Sequence, residues 1–139
     1  MDNNIFFSLM NPKSVNSYLF SLGKIEFVAP EFLKSELEEH KSECIKKSRL
    51  SEHEFEIRQR EIEDKIVFVE LSEYKAFLKE AIGSIPDPDD SPYIALALSI
   101  KSAIWSNDPH LTKQALVKVF TTDKLIKLVF GYNFWFSAE

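Results

Sequence analysis

Cysteine, glycine and long apolar runs are all scarce in this 139-residue sequence, and each scarcity excludes something. Cys44 is the single cysteine, so no internal disulfide can form. Glycine occurs three times, at Gly23, Gly83 and Gly131, each directly after an apolar-periodic segment. Those are helix C′ positions, where a positive φ is cheap only for glycine. None is left for a phosphate-cradling loop, which removes P-loop and dinucleotide-binding readings. No run approaches the roughly 18 apolar residues of a membrane span. The amino terminus is acidic and polar rather than signal-like, so a cytoplasmic protein is expected, with no membrane partner. Positive charge is also short: the net charge of −5 argues against generic nucleic-acid binding through lysine and arginine.

What remains describes one ordinary globular domain. Apolar residues make up 45% and charged residues 28%, a mixture that buries a core rather than staying disordered. A chain of this length removes roughly two-thirds of its surface from water. No internal repeat, low-complexity tract or linker is visible. Hydrophobic periodicity predicts short helices over 4–10 and 14–22, then a strand over 24–29 closed by Pro30. A long helix follows from Glu31 to about Lys47. Ser51 and Glu54 form a capping box for the next helix. IVFVE (66–70) reads as a strand buried on both faces. Further helices are expected over 72–82 and 91–101, with strands at 103–106 and 117–120. Thr122 is placed to cap a last helix ending at Phe130. Alternating strands and helices predict an α/β fold with a parallel sheet covered on both sides.

The segment IPDPDDSPYIALALSIKSAIWSND, residues 85–108, carries most of the chemistry. It sets Asp87, Asp89 and Asp90 before an Ala/Leu-rich helix, and Asp108 after a short strand. In open α/β sheets, strand carboxyl ends and helix amino ends face one crevice, where ligands bind. Gathered acids repel, and a hard divalent cation is the usual reason to tolerate that. Asp90 and Asp108 could each be a plain helix cap, since aspartate is a preferred capping residue. Three acids in four positions are nonetheless more than one cap needs.

Glu36 lies three residues after Leu33 in EFLKSELEEH, against the apolar stripe of Phe32, Leu33 and Leu37. An acid there is either a surface glutamate whose stem covers Leu33 or a group that needs pairing, protonation or metal. Glu38 and Glu39 point elsewhere. His40 and Cys44 follow Glu36 at i+4 and i+8, a weak hint of zinc without any CxxC or HExxH. No histidine sits in a triad context.

Together these segments resemble the PIN domain family of metal-dependent ribonucleases, which includes VapC-type toxins. Asp2-Asn3-Asn4 followed by IFFSLM is similar to that family's opening Asp-x-Asn and apolar helix. FLKSELEEH resembles its glutamate motif, with Glu36 as the acid. PDPDDSPYIALAL resembles its third motif, with Asp90 as ligand and Asp87 in company. IWSNDPHL resembles its fourth, with Asp108 as the acid and Ser106 as a supporting hydroxyl. The resemblance implies a three-layer sandwich around a central parallel sheet, spanning 1–130, with 131–139 as an aromatic tail. Its first strand, directly before the opening aspartate, is missing or truncated here.

It further implies Mg²⁺ or Mn²⁺ held by Asp2, Glu36, Asp90 and Asp108, with Asp87, Ser106 and Asn4 in support. RNA is the implied substrate, and an antitoxin protein a possible partner. The absent strand leaves unpaired edges, and the tail YNFWF (132–136) is sticky, so a homodimer is expected. A receiver or haloacid-dehalogenase reading fails, because DPDD follows a loop and lacks the DxDxT threonine. A catalytically incomplete PIN-like binding module remains the alternative, since fold does not imply function.

Overall fold

Side chains that accept a backbone N–H decide where several helices begin. The computed structural model describes residues 1–131. Asp2 caps α1 (Asn3–Ser8) by accepting from the Ile5 amide. Ser14 does the same for α2 (Val15–Ser21) from Ser17. Ser51 and Glu54 exchange both bonds of a capping box at the start of α5 (Glu52–Asp64). Between these lie β1 (Phe27–Pro30), α3 (Phe32–Glu39) and α4 (Lys41–Ser48). After α5 come β2 (Ile66–Val69), α6 (Leu71–Tyr74), a 3₁₀ turn at Lys75–Phe77 and α7 (Leu78–Ile82). A second 3₁₀ turn, Pro88–Asp90, leads into α8 (Ser91–Ile100). The order finishes with β3 (Ile104–Trp105), α9 (Pro109–Lys113), β4 (Val119–Phe120) and α10 (Thr122–Phe130).

Both strand pairs are parallel, as alternating strands and helices require. β1 pairs with β2, Phe27 opposite Ile66, and β3 pairs with β4, Ile104 opposite Val119. Among the described residues, however, these form two separate two-stranded sheets rather than one continuous sheet. Met1 and Asp2 link the two sheets. The Met1 ammonium donates to the Val28 carbonyl at 3.1 Å, and the next amide, Asp2 N–H, donates to the Trp105 carbonyl at 3.2 Å. Two bonds from consecutive residues bridge β1 and β3 but cannot propagate a ladder. A cavity of about 270 Å³, lined by Met1, Val28, Ile104 and Trp105 among others, lies beside this bridge.

The core gathers residues from both helices and strands. Phe6, Leu33, Leu37, Phe55, Ile62 and Ile94 are fully buried. Phe20, Phe27 and Trp105 stack in sequence, with centroids 5.0 and 5.4 Å apart. α8 lies in the middle of this packing, with Ile94, Ala95 and Ala97 buried.

Several local expectations are corrected. The long helix predicted from Glu31 to Lys47 breaks at His40, whose φ of −107° and ψ of 15° separate α3 from α4. β2 is not buried on both faces: Ile66 is buried, but Val67 on the opposite face is 49% exposed. Thr121 rather than Thr122 caps α10. The Thr122 hydroxyl is engaged elsewhere, donating to Asn16 and accepting from Trp105 and Asn107. Gly23 and Gly131 have positive φ, but Gly83 ends α7 at φ −69° and needs no glycine conformation. α4 and α8 end on Arg49 and Lys101 in the left-handed region instead. The aromatic run 132–136 lies outside the described residues.

Candidate active site: a carboxylate cluster at helix starts

Three of the four expected acids are N-cap residues: Asp2 of α1, Asp90 of α8 and Asp108 of α9. The positive end of a helix dipole lowers the cost of placing negative charge there. Asp2 and Asp108 satisfy the plain capping role. Asp2 accepts from Ile5 N–H at 3.0 Å, and Asp108 accepts from His110 N–H at 2.9 Å. Asp90 does not: its side chain makes no capping bond, and no donor among the described residues reaches it. A cap explains the first two positions, yet leaves the third without a structural role.

A second layer of donors holds the acids in place. The Ser106 hydroxyl donates to the second oxygen of Asp2 and accepts the Asp108 amide at 3.0 Å. Ser106 is fully buried, so one side chain ties two of the acids together. Asp2 itself is 1% exposed. Glu36, on α3, accepts from the Tyr93 hydroxyl on one oxygen and from Asn3 Nδ2 at 3.1 Å on the other. Glu38 and Glu39 are exposed, as the helical register predicts.

Electrostatics bind the group into one cluster. Burial pushes the Asp90 carboxyl up to about 6, and repulsion from Asp108, Asp87, Asp2 and Glu36 adds to the shift. Burial likewise raises Asp2, opposed by its bonds to Ser106 and Ile5, with Asp108 repelling. Glu36 is raised by burial against the pull of Tyr93 and Asn3, and Asp89 repels it. The Tyr93 hydroxyl is held well above its ordinary range by burial and by the Glu36 carboxylate, so it stays a donor. Buried acids that repel one another favour protonation or a cation.

Hard oxygen donors of this kind suit Mg²⁺ or Mn²⁺. On that chemistry the residues fit a divalent ion. No group of three or more His, Cys, Asp or Glu is drawn into a ready metal cage among the described residues. Most of their oxygens already accept from protein donors. The suggested zinc face on His40 and Cys44 gains no support from the same observation.

Sequence reasoning missed two members. Asn3, not Asn4, is the residue that reaches Glu36; Asn4 makes no side-chain bond to an acid among the described residues and instead lines a neighbouring cavity. Tyr93 was passed over within an apolar helix. Its signal was present, since a buried tyrosine hydroxyl must find a partner. Asp87 accepts from the Asp89 amide at 2.9 Å and stays exposed, shaping the turn before α8.

Parallel strands, flanking helices and acids gathered near helix starts define an α/β domain with a carboxylate cluster. A model of the PIN domain matches residues 1–128, and the chain belongs to that family. No curated protein matches the chain. PIN domains are generally nucleases and commonly use divalent metals.

Proposed function

We propose that this chain is a Mg²⁺- or Mn²⁺-dependent ribonuclease whose centre is Asp2, Glu36, Asp90 and Asp108. The observation that carries the reading is Asp90, an undonated carboxylate pushed up to about 6 at the meeting point of the acids. When bound, the ion supplies Lewis acidity at the scissile phosphate and an acidified water. The chain's own residues do the positioning. Ser106 fixes Asp2 and the Asp108 backbone, while Tyr93 and Asn3 orient Glu36. Each such bond to a charged group contributes about 1.5–3 kcal/mol. The acidic total charge then has a purpose, because phosphate is attracted through metal rather than through lysine and arginine.

The test is cleavage of labelled single-stranded RNA with Mg²⁺ or Mn²⁺, against EDTA. Asp90→Ala, Asp108→Ala and Glu36→Ala should each abolish it, while Glu38→Ala and Glu39→Ala should not. Cleavage that survives Asp90→Ala would remove the proposal.

A binding module is the second reading, favoured by the absence of a preassembled cage among the described residues. It predicts no thermal shift with Mn²⁺. The three-layer arrangement, homodimerisation and service as a toxin with an antitoxin partner are part of the same proposal. For the dimer, no ladder pairs the edges of β1 and β3 that flank Met1, where Met1 and Asp2 each take only one carbonyl. Sedimentation at tens of micromolar should show a dimer, and a clean monomer would count against it. No helix among the described residues is long and apolar enough to cross a membrane.

A further inference from the structure

A cavity of about 420 Å³ opens directly beside the carboxylate cluster, and the established family activity assigns it nothing. Asn3 is the shared wall: its amide donates to Glu36 at 3.1 Å and also lines this cavity. The volume falls within the range of small-ligand sites. Its chemistry is neither that of a core void nor that of an anion site. Phe7 and His40 form an aromatic corner, their centroids 6.0 Å apart and their planes inclined at 56°. Around them stand polar groups with spare capacity. Among the described residues, the Asn4 amide and the His40 imidazole make no hydrogen bond to protein. Asn11 accepts from the Lys13 amide at 3.0 Å, which leaves its NH₂ group free to donate.

The charged groups here cancel. Lys47 and Glu43 both line the cavity and pair with each other at 2.9 Å. A lysine already neutralised in this way is a poor phosphate ligand. A flat, neutral ring with donors and acceptors on its edge suits the site better. Unpaired bases of single-stranded RNA are read in this manner, by stacking on aromatic or histidine rings with hydrogen bonds to their edges. A base inside a duplex cannot enter a cavity of this shape without leaving its stack.

We propose that the cavity between α1, the turn carrying Asn11 and Ser14, and α4 binds one unpaired base of an RNA strand, adjacent to the phosphate held at the carboxylate cluster. Phe7 and His40 supply the stacking surface, and Asn4 and Asn11 read the base edge. The inference rests on the ribonuclease reading and specifies its substrate as a strand with a flipped-out or unpaired nucleotide.

The test uses the full chain and fluorescein-labelled hexaadenylate, read by anisotropy with Ca²⁺ present. A set of six further strands carries one abasic nucleotide each. One abasic position should weaken binding about ten-fold, the size of one lost stacking contact. His40→Ala should weaken the intact strand by the same factor and the abasic strand at that position hardly further. His40→Phe, which keeps a ring, should restore most of the affinity. A duplex of the same sequence should bind at least ten-fold more weakly. The Mn²⁺ thermal shift should largely persist in His40→Ala, because His40 donates to none of the acid side chains among the described residues. Should His40→Ala bind every strand as wild type does, or should its loss simply add to that of each abasic site, the base pocket is refuted while the nuclease reading stands. If wild type shows neither a Mn²⁺ shift nor any RNA binding, both fall together, and a peptide competing for the cavity becomes the better account.

Discussion

Replacing Asp90 by asparagine should stabilise the metal-free protein and destabilise the metal-loaded one, an inversion that a purely structural residue would not give. The Asp90 carboxyl has no donor to lose, and it sits among Asp108, Asp87, Asp2 and Glu36. Its rise from 3.8 to about 6 means that the folded state holds the proton more tightly than the unfolded chain. Such a group favours folding most below the unfolded value and loses that advantage as pH climbs through about 6. The full shift corresponds to ~3 kcal/mol as an upper limit. Because the carboxylate is partly exposed, screening by solvent reduces this to about 1 kcal/mol.

Asp90→Asn removes the charge while keeping the shape. At pH 7.5 in EDTA its melting temperature should therefore lie about 4 °C above wild type. At pH 3.5, below the unfolded value of 3.8, the two should nearly coincide. In millimolar Mn²⁺ the order should reverse, since a ligand binding only the native state stabilises by RT ln(1 + [L]/Kd), roughly 2.7 kcal/mol at 100 Kd. Paired melts by circular dichroism under the three conditions decide it. An Asp90→Asn protein less stable than wild type at pH 7.5 in EDTA would show that the side chain is a structural cap and would refute the reasoning.

Tyr93→Phe removes the buried hydroxyl that donates to Glu36, so a loss of about 1–3 kcal/mol is expected in urea unfolding, with cleavage reduced as well. Ser106→Ala breaks the link between Asp2 and the Asp108 amide and should cost about 2 kcal/mol together with most of the Mn²⁺ thermal shift. Ser51→Ala is the control: loss of a capping box far from the acids should cost about 1 kcal/mol and leave Mn²⁺ binding and RNA cleavage untouched.

Periodicity and capping determined much of this protein without help. Ser51 and Glu54 announce α5, the Ala/Leu run after Asp90 announces α8, and the order of strands and helices dictates parallel pairing. The acids were legible too, because aspartate before an apolar helix is a local pattern and Glu36 breaks the polarity of its own helix face. Tertiary structure decided what depends on neighbours distant in sequence. The strands fall into two sheets joined only by the bonds of Met1 to Val28 and Asp2 to Trp105, which no local preference foretells. His40 breaks a helix that the periodic pattern carries through, and Val67 is exposed within a run that reads as wholly buried. The donors that hold the acids come from afar: Ser106 is 104 residues from Asp2, and Tyr93 is 57 from Glu36. A single sequence states which groups carry charge and which turns they favour. Which donor meets which acid is fixed only when the core closes and every buried polar atom must find a partner.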